Sequence, residues 1–331
     1  MFSFSEPKVK IAFEAVREAA RLMRVIQRET VVPSLTKGDK SPVTIADFAS
    51  QALIGYMLST EFPEIPLVAE ETSTALRAPA GAHLLAQVTA YVQRVLPEAT
   101  PELVCEWIDH GGAEAGAQFW VLDPIDGTKG YLRGDQYAVA LALVEDGVTR
   151  VGALGCPNLT DAATPDTEGP GSVILAARGQ GTWVASLEGD SDGWRQLHVS
   201  DRKDGSQARL MRSFEAGHTN VNQVDLLANE LGVRVEPVRM DSQAKYAVLA
   251  AGGGEVMVRL LSPQQPDYRE KIWDQAAGAL ILEEAGGRIT DLDGKPLDFT
   301  QGRMLLNNRG VLATNGHLHE ALLKGLAAVE A

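Results

Sequence analysis

Asp123 and Asp126 stand three residues apart in the run Val121-Leu-Asp-Pro-Ile-Asp-Gly-Thr-Lys-Gly-Tyr131. The apolar entry Phe119-Trp-Val-Leu122 reads as a buried strand, with the two acids on a kinked loop at its end. Pro124 restricts the backbone between them and Gly127 permits a tight turn. Two carboxylates held this way can converge on one point, and hard divalent cations need such oxygen clusters. The chemistry this suggests is metal-assisted attack on a phosphate.

Other acids can join them. Glu70-Glu71 follows the short apolar stretch Pro66-Leu-Val-Ala69, Asp274 opens a helix after Lys271-Ile-Trp273, and Asp47 falls in the first turn of a helix. Taken singly, Glu70 also reads as a solvated strand end and Asp274 as a helix N-cap. Yet each lies at a strand end or helix start, and such ends gather at one edge of an α/β fold. The six histidines are scattered without ligand spacing, which favours Mg²⁺ or Mn²⁺ over zinc. Such a set can hold about two or three Mg²⁺ together with a substrate phosphate. A phosphatase that works through an aspartyl-phosphate uses Asp-x-Asp-Gly-Thr, with one residue between the acids. Here Pro124 and Ile125 both intervene, which makes the first acid a ligand rather than a nucleophile. Asp291-Leu-Asp293-Gly294 does have the shorter spacing, but its flanks read as a hairpin turn.

The elements that must carry these residues alternate. Helical period runs through Val9–Gln27, Ile45–Ser59, Leu84–Leu96, Val221–Leu231, Gln243–Ala251 and Asp274–Ala285, and a last helix starts at His317. Strands are expected at 65–69, 119–122, 137–145, 148–154, 173–177, 181–184, 210–214, 233–238, 256–260 and 311–313, with Asp146-Gly147 as a hairpin turn. The stretch 97–116 yields no chemistry, and 160–171 reads as a surface loop. This is an α/β (α+β) chain. We place a boundary near Gly147, giving an N-terminal lobe (1–147) with most of the acids and a C-terminal lobe (148–331).

The 331 residues are 45% apolar and 22% charged, as in a folded soluble protein, and the net charge is −14. That balance argues against non-specific nucleic-acid binding. An acidic enzyme can still take an anionic substrate when bound cations reverse the local field. Cys105 and Cys156 form no CxxC pair and are expected as reduced thiols. No apolar run is long enough to span a bilayer and no leader pattern is visible, so a cytoplasmic protein without membrane partners is expected.

Five blocks in order, Ser41-Pro-Val-Thr-Ile-Ala-Asp47, Val68-Ala-Glu-Glu71, Leu122–Gly134, Asp241-Ser-Gln-Ala-Lys-Tyr246 and Trp273-Asp-Gln-Ala-Ala-Gly278, resemble the inositol monophosphatase superfamily of lithium-sensitive, Mg²⁺-dependent phosphomonoesterases. Lys129-Gly130 and Arg133-Gly134 resemble its 3′(2′),5′-bisphosphate nucleotidase branch. The resemblance implies a layered αβαβα sandwich with the site between two lobes. It implies Glu70, Asp123, the Ile125 carbonyl, Asp126 and Asp274 as metal ligands, and Asp47 with Thr128 as a dyad that helps to deprotonate the attacking water. It also implies a substrate pocket of Thr128, His218, Ser242, Lys245, Arg259 and Asp274. Lys245 and Arg259 suit a second phosphate. The substrates implied are adenosine 3′,5′-bisphosphate, giving AMP and phosphate, and its sulfated analogue 3′-phosphoadenylyl sulfate, acted on by a monomer. An inositol polyphosphate 1-phosphatase would share the metal site. A non-catalytic metal- or nucleotide-binding regulator would be expected to lose the dyad, yet Asp47 and Thr128 are both present. Gln275 departs from the family by standing where many relatives have His.

Overall fold

Apolar side chains at Val9, Ala12, Val16, Ala19, Met23 and Ile26 give the first helix, α1 (Pro7–Glu29), one buried stripe. The computed structural model describes residues 5–29, 34–36, 42–189, 193–214, 221–230, 232–262 and 264–328. After α1 come a ribbon of β1 (Ser34–Thr36) and β2 (Pro42–Thr44), α2 (Ile45–Glu61), β3 (Leu67–Ala69), α3 (Thr74–Arg77), α4 (Ala82–Val92) and α5 (Pro101–Asp109). Then follow β4 (Gln118–Asp126), α6 (Thr128–Arg133), β5 (Ala138–Glu145), β6 (Val148–Cys156), and a second ribbon of β7 (Leu159–Thr160) and β8 (Thr164–Pro165). β9 (Ser172–Ala177), β10 (Thr182–Ser186) and β11 (Arg195–Leu197) complete the first large sheet. The remainder is β12 (Leu210–Arg212), α7 (Val221–Glu230), β13 (Val238–Arg239), α8 (Ala244–Ala250), β14 (Val256–Arg259), α9 (Ala276–Glu284), β15 (Arg288–Thr290), β16 (Val311–Thr314) and α10 (His319–Ala328).

The first sheet has strand order β11-β10-β9-β6-β5-β4-β3, antiparallel except for the β3–β4 pair. The second has order β13-β12-β14-β16-β15. Strand alternation sorts the core. Trp120 and Leu122 of β4 pack with α1 and α2, whereas Phe119 and Val121 pack on the other face with α8 and α9. The second sheet repeats the pattern: Met211, Met257 and Ala313 face α9, while Leu210, Val256, Val258 and Leu312 meet Val224 and Leu227 of α7 and Leu322 and Leu326 of α10. The layers are therefore helices, sheet, helices, sheet, helices, the αβαβα sandwich expected.

Gly147 is not a seam between sheets. It is the second residue of the β5–β6 turn, where Asp146 and Gly147 both take positive φ (49° and 75°), and both strands lie in the first sheet. The change of sheet falls between β11 and β12. The strand expected at 233–238 shrinks to Val238–Arg239, and the stretch 97–116 holds a helix, α5, opened by Thr100 and Pro101. The Asp291–Gly294 turn is structural as read: the Asp291 carboxylate accepts from the backbone N–H groups of Asp293 and Lys295. Both cysteines are buried, unbridged thiols.

His319 is fully buried at the start of α10, with Nε2 3.0 Å from the Thr290 hydroxyl and Nδ1 3.0 Å from the Thr314 hydroxyl. Thr290 gives its proton to the Asp291 carbonyl, so the ring donates through Nε2 and accepts at Nδ1. Burial, with Arg288 nearby, lowers the imidazole from 6.5 to about 4. A group depressed by folding adds stability above its unfolded pKa and loses it as pH falls through the folded one. Urea unfolding of the wild type should therefore lose roughly 3 kcal/mol between pH 6.5 and 4 that His319→Gln does not lose. Parallel pH dependences would contradict this.

Candidate active site

α2 is enclosed by α1, α4, α5 and β4, so its polar residues Asp47, Ser50 and Gln51 are buried with its apolar ones. Buried polar groups must be paired. Ser50 donates to the Pro124 carbonyl at 2.9 Å, gripping the chain between Asp123 and Asp126. Gln51 donates to the carbonyls of Glu71 and Ile108, both at 2.8 Å, and accepts from the Glu71 N–H at 2.9 Å. One helix thus anchors both acidic segments. Sequence reading passed over Ser50 and Gln51. Their signal was polarity at consecutive positions of an otherwise apolar helix.

The two central acids do not sit on a loop beyond the strand, as the sequence suggested. β4 continues through them: Asp123 opposes Ala140 and Asp126 opposes Ala138, with a register shift in between. Two residues oppose one, a β-bulge. Pro124 has no N–H for the ladder, which is why the pairing gives way there. The bulge re-aims both carboxylates while the sheet keeps them rigid. The Ile125 carbonyl accepts from the Thr128 hydroxyl at 3.3 Å across the start of α6. Asp274 also differs from the sequence reading. Gln275 precedes α9 as its cap residue without a side-chain bond, and Asp274 lies one residue further back.

The block Asp241–Tyr246 docks onto this strand end. The Gln243 N–H donates to Asp126 Oδ2 at 2.5 Å, its side-chain amide donates to the Trp273 carbonyl at 2.9 Å, and its Oε1 accepts from the Gly278 N–H at 3.0 Å. Ser242 has φ 68°, a left-handed backbone that is rare for a side chain other than Asn, Asp or Gly. A Cβ on Gly127 would lie 2.8 Å from the Ser242 Cβ, so Gly127 makes room for this approach. The buried Lys245 ammonium donates to Ser213 Oγ at 2.7 Å. Arg259 pairs with Glu270 at 3.1 Å. Glu270 in turn accepts from Gln275 at 2.9 Å, and the Tyr246 hydroxyl donates to Gln275, so the glutamine is bonded on both sides. His218 lies outside the described residues.

Electrostatics tie the acids together. Burial raises the Asp123 carboxyl well above its ordinary range, and the charges of Glu70, Asp126, Asp274 and Asp47 raise it further. Asp274 is likewise raised well above its usual value by burial and by Asp126, Glu270 and Glu70, against the pull of Arg259. Asp126 is raised by burial and Glu70, against Lys245, Arg259 and the Gln243 N–H. Burial lowers Lys245 to about 8, with Arg259 adding to the effect. Burial opposes the charge on Arg259 too, but Glu270 and Asp274 outweigh it and hold the guanidinium protonated.

The structure therefore brings Asp47, Glu70, Asp123, Asp126 and Asp274 into one field, bordered by Lys245 and Arg259. Asp123 Oδ1 is buried with no hydrogen-bond partner among the described residues. A buried oxygen that lacks a donor, among carboxylates that repel one another, fits a hard divalent cation. Among the described residues, no three His, Cys, Asp or Glu side chains already stand in ligand positions. The acids share a field rather than a finished cage.

Comparisons with known proteins give the family of the chain. The chain matches the inositol monophosphatase family over residues 3–330. It is 41% identical to a 3′(2′),5′-bisphosphate nucleotidase of Schizosaccharomyces pombe, over 99% of this chain and 96% of the relative. It is 39% identical to an enzyme of the same name from Oryza sativa, over 95% and 92%. An inositol monophosphatase of Anabaena superposes with TM-score 0.65 at 23% identity, covering 98% of this chain and 97% of the other. A CysQ of Bacteroides thetaiotaomicron does so with TM-score 0.62 at 19% identity, covering 93% and 97%. The chain belongs to the inositol monophosphatase family. That family is generally metal-dependent.

The anchoring role of Gln51 is open to a direct check. Gln51→Leu leaves the buried backbone N–H and carbonyl of Glu71 without the partners that Gln51 supplies, so urea unfolding should show a loss of about 2–5 kcal/mol. A loss below about 0.5 kcal/mol would mean that Gln51 anchors nothing.

Proposed function

We propose that this protein is a cytoplasmic, Mg²⁺-dependent 3′(2′),5′-bisphosphate nucleotidase. It removes the 3′-phosphate of adenosine 3′,5′-bisphosphate to leave AMP, and it also accepts 3′-phosphoadenylyl sulfate. The observation that carries the reading is the field around buried Asp123, where four other carboxylates act on one acid beside the cations Lys245 and Arg259. The curated relatives, alike over nearly the whole chain, support the substrate class.

In this reading Glu70, Asp123, the Ile125 carbonyl, Asp126 and Asp274 hold two or three Mg²⁺, with Mn²⁺ as a substitute. When bound, the ions lower the pKa of an attacking water and neutralise charge on the leaving oxygen. The chain's own groups do the rest. The Thr128 hydroxyl and the Asp47 carboxylate orient and deprotonate the water. Gln243 holds Asp126 in place through its backbone N–H. Lys245, Arg259 and Ser242 take the second phosphate, with His218 on the nucleoside. Because the 5′ group is gripped by cations and not cut, a sulfated 5′ group fits as well.

Asp123→Asn removes a buried charge from this field. The metal-free variant should melt higher than the metal-free wild type, show no further rise with Mg²⁺, and lose at least about 10³-fold in kcat. A variant that keeps its Mg²⁺-dependent stabilisation and its turnover would refute Asp123 as a ligand.

Lys245→Ala should raise KM for adenosine 3′,5′-bisphosphate about tenfold or more, with little change for a simple monophosphate. Equal effects on both substrates would remove Lys245 as the second-phosphate anchor. Its lowered pKa adds a sign. The ammonium loses its charge above pH about 8, so kcat/KM on the bisphosphate should fall there. Lys245→Arg should shift that limb to higher pH.

A further inference from the structure

Phe214 is one of six large apolar side chains left exposed among the described residues, at 48%, and both its backbone and its ring have polar partners. Its backbone N–H donates to Asp241 Oδ1 at 3.1 Å. Asp241 is paired with Arg133, which also bonds Asp135 at 2.9 Å. The Arg133 guanidinium lies over the Phe214 ring, 5.6 Å from its centroid. Ser213, the preceding residue, receives the Lys245 ammonium at 2.7 Å.

An aromatic ring left half in solvent forgoes about half of what full burial would give it, and a cation over its face adds only about 0.5–1 kcal/mol at an exposed site. Neither accounts for a ring fixed by a backbone bond, an ion pair and a cation at once. Its position one residue from the Lys245 contact does. A nucleoside bisphosphate with one phosphate at the acids and the other at Lys245 leaves its base outside both, where a flat apolar surface is the fitting contact. Arg133 also neutralises Asp241, whose charge would otherwise face the second phosphate.

We propose that the exposed face of Phe214, held by Arg133 and Asp241, is the platform on which the substrate's nucleobase stacks, making Phe214 a specificity-determining residue. This rests on the nucleotidase reading above. Stacking on one ring reads any base through its π face, so the enzyme tells a nucleoside bisphosphate from a sugar or polyol bisphosphate without choosing sharply among bases.

The test measures steady-state kinetics on adenosine 3′,5′-bisphosphate and on the base-free tetrahydrofuran 3,5-bisphosphate, with inositol 1,4-bisphosphate as a third substrate. Phe214→Ala should raise KM for the adenosine compound by about tenfold to a hundredfold, the size of one base–aromatic stack, with kcat within about twofold. KM for the base-free compound should be unchanged, and Phe214→Trp should restore tight binding of the adenosine compound. Because the ring is exposed, the melting temperature should not move. Equal effects on both ribose-type substrates, or none on either, would overturn the platform while leaving the nucleotidase reading intact. A wild type that turns over inositol 1,4-bisphosphate but not the adenosine compound would overturn both.

Discussion

Like charges gathered out of water are the constraint on which the rest of this molecule depends. Asp123 is buried and lies in the field of Glu70, Asp126, Asp274 and Asp47. Such a set is unstable by itself, because burial and repulsion both favour the proton-bound form. A fold that tolerates it must hold the acids with neutral donors and meet their charge from outside. The first need is served by the Gln243 backbone and the second, on one side, by Lys245 and Arg259, in a family that is generally metal-dependent.

The holding is done by amides and hydroxyls more than by ion pairs. Ser50 grips the bulge, Gln51 grips the Glu71 segment, and Gln243 joins Asp126 to Trp273 and to α9. A neutral cross-link adds no charge to an already strained field, and a buried amide leaves no group unsatisfied when all its bonds are made. The same logic explains Gln275, which links the Tyr246 hydroxyl to Glu270 and so supports the partner of Arg259.

Much of this was legible beforehand. The long helix α1, the pair β5–β6 with its Asp146-Gly147 turn and the alternation of the second half follow from local pattern, because period and turn chemistry are local properties. The order of the acidic blocks, with the resemblance they carry, pointed to family and layer architecture. Helix α5 and the continuation of β4 through its acids were missed. A helix of nine residues makes too few turns for its period to stand out from the flanking chain, and a bulge looks like a loop until its partner strand is known.

From the sequence alone came the identity of the acids, the hydroxyl and the cations, and a spacing at Asp123 and Asp126 that disfavours a covalent aspartyl route. These are properties of residue type and local order. Tertiary structure decided which of them meet. The boundary assigned to Gly147 became an ordinary turn because sheet membership depends on hydrogen bonds between distant segments. Asp126 meets Gln243, and Gly127 meets Ser242, across more than a hundred residues of chain. Contacts at that separation arise only when both sheets have formed around α9, and no local pattern encodes them.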